Sequence, residues 1–409
     1  MSQAALVPKL RFSEFSDDWE EKRFVDITTK ISDGIHSTPN YDEGGTYSFV
    51  NGNNLVNGVI KINSQTKKVD ENEYTTHQRP LGSNTILISI NGTIGNLALY
   101  NNEKVVLGKS ACYLNINEKD TDKLYVFNLL RTCKIKRFFN SELTGSTIKN
   151  LSLTTIKNTK LNLPTKPEQQ KIAAFLTAVD TKIEQLSKKQ ELLGEYKKGS
   201  MQQIFSQAIR FKADDGSAFP DWEEKKLGDV GNFYRGHSYN STNVKDSGLL
   251  VLRSSNIKND SLILDNDLQF VNKDCSDNIS LKTNDIVICM ANGSKRLVGK
   301  SGIYHGDYNG KLTVGAFCSI FRTDNLLSKY ILQTVQYRKY LHILLAGTNI
   351  NNLKNSELSE LTFNLPVSSF EQTKIASFLS SIDRKIEQVG KQLDESNQFK
   401  KALLQQMFV

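Results

Sequence analysis

The 409-residue chain reads as an α/β (α+β) protein made by tandem duplication. Each copy supplies a globular module of mixed sheet and helices, then one long helix. Three observations lead there: a repeat at a fixed offset, short β-rich runs early in each copy, and a heptad stripe late in each copy. The two tryptophans stand in identical strings, Asp18-Trp19-Glu20-Glu21-Lys22 and Asp221-Trp222-Glu223-Glu224-Lys225, 203 residues apart. At the same offset EQQKIAAFLTAVDTKIEQ from Glu168 matches EQTKIASFLSSIDRKIEQ from Glu371, with twelve of eighteen positions identical. MQQIF from Met201 answers LQQMF from Leu404, and LNLP from Leu161 answers FNLP from Phe363. Twice this offset is nearly the chain length, so two copies account for almost all of it.

In chain order, the first module covers residues 1–164, a central helix 165–207, the second module 208–366 and a C-terminal helix 367–409. The modules hold short apolar runs (TILISI, IVICM, AFCSIF) bounded by Asn, Gly and Ser, the pattern of strands and loops. A basic–aromatic segment follows in each, KIKRFF from Lys134 and QYRKYL from Gln336, expected to be helical. Then the period changes. Ile172, Leu176, Val179, Ile183, Leu186, Gln190 and Leu193 alternate steps of four and three, a heptad seam, and Ile375, Leu379, Ile382, Ile386, Val389 and Leu393 repeat it. Pro164, Pro167 and Pro366 lie just ahead of these helices, where the missing N–H does least damage.

A single stripe of this kind can lie on its own module. Two matched stripes can bury each other, which satisfies both at once, and that is the arrangement expected here. A helix of about 38 residues spans roughly 57 Å at about 1.5 Å per residue. Because the chain returns through the second module, the two helices would run antiparallel, as a coiled coil separating the modules under a pseudo-twofold axis.

Composition limits the function classes. Lys and Arg number 52 against 44 Asp and Glu, a net charge of +8 that favours a polyanionic partner. No apolar stretch approaches the ~18–20 residues a membrane helix needs, and no secretory leader is evident, so a cytoplasmic protein is expected. Cys112, Cys133, Cys275, Cys289 and Cys318 are odd in number, scattered and never in CxxC, which fits reduced thiols and no metal site. The five histidines are equally dispersed.

The doubled layout of variable module, NLP, EQxKIAxFLxxxDxKIEQ and QQxF resembles the specificity subunit of type I restriction–modification systems, over essentially the full chain. The resemblance implies that each module is a target recognition domain reading half of a bipartite, asymmetric site in double-stranded DNA. It implies that the helices, through the seam of Ile172, Leu176, Val179, Ile183, Leu186, Ile375, Leu379, Ile382, Ile386 and Val389, form the spacer that sets the gap. It further implies that the helices dock adenine methyltransferase subunits, two of them, which restriction and motor subunits join. S-adenosylmethionine, ATP and Mg²⁺ are then expected on those partners, with no cofactor in this chain.

Catalysis by the chain itself is not expected. No NPPY-like string occurs, and Gly108-Lys109-Ser110 and Gly299-Lys300-Ser301 lack the first glycine that a Walker A phosphate loop needs. No catalytic or metal residues are therefore assigned. The rival readings are a stand-alone DNA-binding regulator and an adaptor with internal twofold symmetry.

Asn reads adenine and Arg reads guanine through paired hydrogen bonds, so polar loops are the candidate readers. In the first module these are Ser32, His36 and Thr38, then Asn51, Asn53 and Asn54, then Asn91 and Thr93. In the second they are Arg235, His237 and Tyr239, then Arg253, Ser255 and Asn256, then Lys295 and Arg296. Lys136 and Arg137, matched by Arg338 and Lys339, are the candidate phosphate anchors. The string G-x-x-I-x-N-L, from Gly145 to Leu151 and from Gly347 to Leu353, is shared, whereas the loop after Asn91 (NGTIG) differs from that after Asn292 (NGSKR). Divergent loops on a common scaffold suit two different half-sites.

Overall fold

The strand-forming runs become the middles of sheets because they are apolar on both faces. In the computed structural model, which describes residues 7–145, 147–346 and 351–409, TILISI forms the strand Thr85–Ser89, every residue of which is buried. It lies between Ala111–Ile116 and Leu97–Leu99 in an antiparallel sheet that Thr28–Asp33 completes at its edge. A second sheet of the first unit orders Lys68–Val69, Tyr47–Val50 and Val105–Leu107, and its last two strands run parallel.

The second unit repeats the plan with local changes. Asn232–Arg235, Cys318–Arg322, Ile286–Cys289 and Ser301–Ile303 follow the same order, and two further short strands extend the sheet. Leu249–Leu252 pairs parallel with Leu312–Val314, as Tyr47–Val50 does with Val105–Leu107. The sheets are thus mixed, and the two units share one architecture.

Why DWEEK and NLP occur in both halves is now physical. The strand Glu20–Arg23 pairs antiparallel with Lys160–Leu163, setting Glu21 opposite Asn162. The strand Glu223–Lys226 pairs with Thr362–Leu365, setting Glu224 opposite Asn364. Trp19 is 4% exposed and meets Tyr125 edge-on at 6.3 Å, while Trp222 meets Phe205 at 6.4 Å. The two strings form one ribbon that closes each module beneath its helices.

The long helices run Lys166–Phe205 and Ser369–Gln406. By internal contacts the chain forms two units: residues up to Lys188 together with Val389–Val409, and Lys189–Gln388. Each unit therefore takes the beginning of one long helix and the end of the other. In the first, Ile172, Ala173 and Leu176 share a core with Leu403, Met407 and Phe408. In the second, Ile375, Leu379 and Ile382 share a core with Met201 and Ile204. Within each unit the pairing is antiparallel. The stripes also rest on the modules themselves, since those same cores contain Tyr125 and Leu129 in the first unit and Tyr330 and Tyr337 in the second. Lying on the module and burial by the other helix are thus combined.

Matched ion pairs brace the helix ends. Arg11 holds Glu168, fully buried, by two hydrogen bonds of 2.8 Å, and Arg210 holds the equally buried Glu371 at 3.0 Å. One heptad stripe position is a lysine in both copies: Lys400 pairs with Asp180, and Lys197 with Asp383 at 2.7 Å. Arg131 adds a second cation to Asp180 at 2.8 Å.

Candidate nucleic-acid interface

The candidate reading loops of each unit are drawn together by one tight turn that ends a parallel strand. In the first unit this turn is Gly108–Ala111, closed by the Ala111 N–H donating to Gly108 O at 3.0 Å. Three loops bond to its neighbourhood: Ile35 N–H to Leu107 O at 2.8 Å, Gly108 N–H to Val50 O at 2.9 Å, and Ile90 N–H to Ser110 O at 3.0 Å. In the second unit the turn is Gly315–Cys318, with Cys318 N–H to Gly315 O at 2.8 Å. His237 N–H bonds Val314 O at 2.6 Å, Gly315 N–H bonds Leu252 O at 2.8 Å, and Met290 N–H bonds Phe317 O at 2.8 Å. Backbone for backbone, the two clusters are the same.

This equivalence explains the glycines before the first loop. A Cβ on Gly34 would sit 2.0 Å from Leu107 O, and one on Gly236 would sit 2.2 Å from Gly315 O, so only hydrogen fits. It also aligns the loops. Gly34 corresponds to Gly236, so Ile35 corresponds to His237 and the exposed His36 does not. Asn51 corresponds to Arg253: each opens a short 3-10 turn whose third residue, Asn54 or Asn256, accepts its N–H at 2.9 Å. Ile90 corresponds to Met290, which sets Asn91 level with Ala291. The loop then closes from Gly95 N–H to Ser89 O in the first unit but from Gly299 N–H to Cys289 O in the second, four residues longer. Lys295 and Arg296 occupy that insertion, in a 3-10 turn.

Four of the candidate readers are placed otherwise than expected. Asn256 is 1% exposed, and its amide nitrogen donates to Ile263 O, Asn266 O and Asp267 O. It shapes its loop and has no free group for a base. Asn54 acts likewise, donating to Lys61 O at 3.1 Å. His237 is 8% exposed, its Nε2 is buried with no partner among the described residues, and burial holds its pKa below the ordinary histidine value. A neutral, enclosed imidazole is a packing residue here. Tyr239 leans on the small core of Leu249, Val251, Val271 and Cys275.

The others line the cluster with their side chains available in different degrees. His36, Thr38, Asn53 and Thr93 are exposed in the first unit, as are Arg235, Ser255, Lys295 and Arg296 in the second. Ser32 lies in the strand ladder opposite Tyr113, half-buried. Asn51 accepts from Ser110 Oγ at 2.9 Å, and Asn91 donates to Lys109 O at 3.3 Å, so both are tied to the turn. Arg253 reaches Asp267 at 2.6 Å, and Lys295 reaches Leu345 O at 3.1 Å. The shared G-x-x-I-x-N-L string backs this loop: Leu151 N–H bonds Ile90 O at 2.9 Å, and Leu353 N–H bonds Met290 O at 2.8 Å. Of that string, residues 146 and 347–350 lie outside the described residues.

The basic–aromatic segments are the helices Cys133–Ser141 and Val335–Ala346. Lys136, Arg137, Arg338 and Lys339 are exposed, while Phe139 and Tyr337 anchor the helices in their cores. Arg338 also donates to Val298 O at 3.3 Å. Burial pushes the Cys318 thiol up to about 12 and raises Cys112, Cys275 and Cys289 as well, so these sulfurs stay protonated. Among the described residues no group of three His, Cys, Asp or Glu is placed to hold a metal, and no helix is long and apolar enough to cross a membrane.

What sequence reasoning missed is the turn itself. Gly108-Lys109-Ser110 was legible only as a failed phosphate loop, and Ala316-Phe317 read as the start of the strand run AFCSIF, whereas the strand begins at Cys318 and these two residues form the turn. The signal available was a Gly directly after a short apolar run in both copies, VVLG and LTVG.

Comparison with known proteins agrees with this geometry. A crystal structure of the S subunit of a type I restriction–modification system from M. genitalium superposes with a TM-score of 0.63 at 18% identity, covering 99% of both chains, and so shares the fold. The MjaVIII specificity subunit of a type I restriction enzyme from Methanocaldococcus jannaschii is 26% identical over 95% of this chain and 91% of its own length. The EcoKI specificity subunit of Escherichia coli is 31% identical over 38% of this chain and 34% of its own. The family model of the type I restriction modification DNA specificity domain matches twice, at residues 16–193 and 220–395. Those two spans are the two structural repeats described above, and the chain belongs to the type I restriction–modification DNA specificity family.

Proposed function

We propose that each unit reads one half of a bipartite, asymmetric DNA site, and that the paired helices set the gap and dock two adenine methyltransferase subunits. The observation that carries this reading is the pair of backbone-equivalent loop clusters whose side chains differ: Asn51 against Arg253, Asn91 against Ala291, and a short loop against one carrying Lys295 and Arg296. One frame with two side-chain sets suits two different base sequences, because base-edge contacts specify and backbone contacts position. Lys136, Arg137, Arg338 and Lys339 serve as phosphate anchors common to both halves. The methyltransferase subunits act on an adenine flipped out of each half-site, and restriction and motor subunits join them. S-adenosylmethionine, ATP and Mg²⁺ belong to those partners.

Co-expression with the methyltransferase subunit in a methylation-free host, followed by mapping of N6-methyladenine, tests the proposal. A single two-part motif with a fixed gap is expected, and exchanging one module should change one half of it. Absence of any motif, with both proteins soluble and associated, would favour the regulator or adaptor reading.

A further inference from the structure

We propose that the turn Gly315–Cys318 is itself a reading element, with Phe317 making an apolar contact to a base of the half-site recognised by the second unit. The inference rests on the reading above, that the loop cluster faces DNA. Single exposed apolar residues are ordinary on protein surfaces, so exposure alone would carry nothing. What distinguishes Phe317 is its placement and the hydrogen-bonded backbone turn that carries it. It is 70% exposed, yet its carbonyl accepts from Met290 N–H at 2.8 Å and Ala291 N–H at 3.2 Å. The turn around it is clamped on its other sides by Gly236 N–H to Cys318 O at 3.0 Å and Gly315 N–H to Leu252 O at 2.8 Å.

Phe317 thus stands where all three reading loops converge, near Arg235, Arg253 and Asn292. Asn292 donates to Ser254 Oγ at 3.2 Å, linking two of those loops beside it. An exposed ring carried on a clamped backbone turn, on loops that also bear basic and amide residues, matches a partner that offers phosphate charge, base edges and apolar base surface together. Nucleic acid does so: a thymine methyl or a base face accepts a phenyl ring, and aromatic–base contacts contribute substantially to such binding. The equivalent positions of the first unit are the exposed Lys109 and the half-buried Ser110. There the same turn presents a charge, suited to a phosphate, in place of a ring. The turn therefore divides labour differently in the two halves, base contact in the second and backbone contact in the first.

The test uses the complex assembled with its methyltransferase subunit and its mapped site. Phe317→Ser, which installs the first unit's residue, is expected to weaken binding to specific DNA on the order of 10-fold. Its salt dependence and its binding to unrelated DNA should not change, and Phe317→Leu should recover part of the loss. Lys109→Ala should weaken all sequences alike and reduce the salt slope by about one. Specific affinity and methylation unchanged in Phe317→Ser, with the two-part motif intact in the parent complex, would overturn this proposal alone. A parent complex with no sequence preference would overturn both it and the reading on which it rests. The melting temperature of each variant excludes misfolding as the cause.

Discussion

His237 and Ile35 occupy the same backbone position in the two units, and they show how one side chain can give otherwise similar modules different responses. Ile35 is 6% exposed and simply packs, whereas His237 is 8% exposed and is held below its usual pKa chiefly by desolvation, with Lys273 adding to the effect. The folded state therefore binds fewer protons than the unfolded state once the pH drops below about 6.5. Stability contributed by the neutral ring is present above that value and is lost on acidification. Thermal melts from pH 7.5 to 5.5 should show the second unit losing stability, and His237→Ile should flatten that dependence. An identical pH profile in the variant would show that the imidazole is not the group responsible. At the same scale, Asn54 and Asn256 illustrate why a residue type in a loop is an ambiguous sign. Asn favours turns for its own hydrogen bonds, and both use their amides that way.

At the scale of the element, the long helices carry a charged position, Lys197 and Lys400, inside a mostly apolar seam. Lys400 is 7% exposed, and burial draws its pKa below the ordinary lysine range while Asp180 counters that pull. A buried charge is tolerated when paired and costly when its partner is removed. Asp180→Asn should therefore destabilise the first unit by about 2–3 kcal/mol, with Arg131 left as a second unpaired cation. Lys400→Met, which fills the same volume without charge, should be nearly neutral or stabilising. Denaturant melts of the two variants decide the point, and equal losses would contradict it. Burial along the seam is uneven. Leu176 and Leu379 are fully enclosed and Leu186 and Val389 nearly so, while Ile183 and Ile386 between them are half-buried. A charge introduced at Leu176 or Leu379 should disrupt the helix pairing more than one at Ile183 or Ile386.

At the scale of the whole molecule, the sequence repeat and the compact unit are not the same thing. The repeat ends with its own helix, but each unit is completed by the far half of the other copy's helix. The first unit depends on the C-terminal residues: Leu403, Met407 and Phe408 lie in its core, and Leu10 N–H donates to Gln406 O at 2.9 Å. The second unit makes the equivalent bond, Ile209 N–H to Gln203 O at 3.2 Å, within a continuous stretch of chain. Removing residues 389–409 should therefore open the first unit and leave the second folded. Limited proteolysis with fragment mapping would show cleavage concentrated before Lys188. Protection of the first module in the truncated chain would refute the dependence.

The duplication, the strand runs, the basic–aromatic helices and the heptad stripe were readable from residue order, because each is a local pattern with its own period. The pairing of DWEEK with NLP could be suspected only from their joint recurrence, since strands far apart in sequence declare no register. The readers could be narrowed to loops but not ranked: burial of His237 and Asn256, and exposure of Phe317, depend on neighbours contributed from elsewhere in the chain. The turn that gathers the loops was invisible for the same reason. Local chemistry sets which residues prefer strand, helix or turn, and that preference is written in the sequence. Which side chains face solvent, and which helix half completes which core, is decided only when distant segments compete for the same apolar surface.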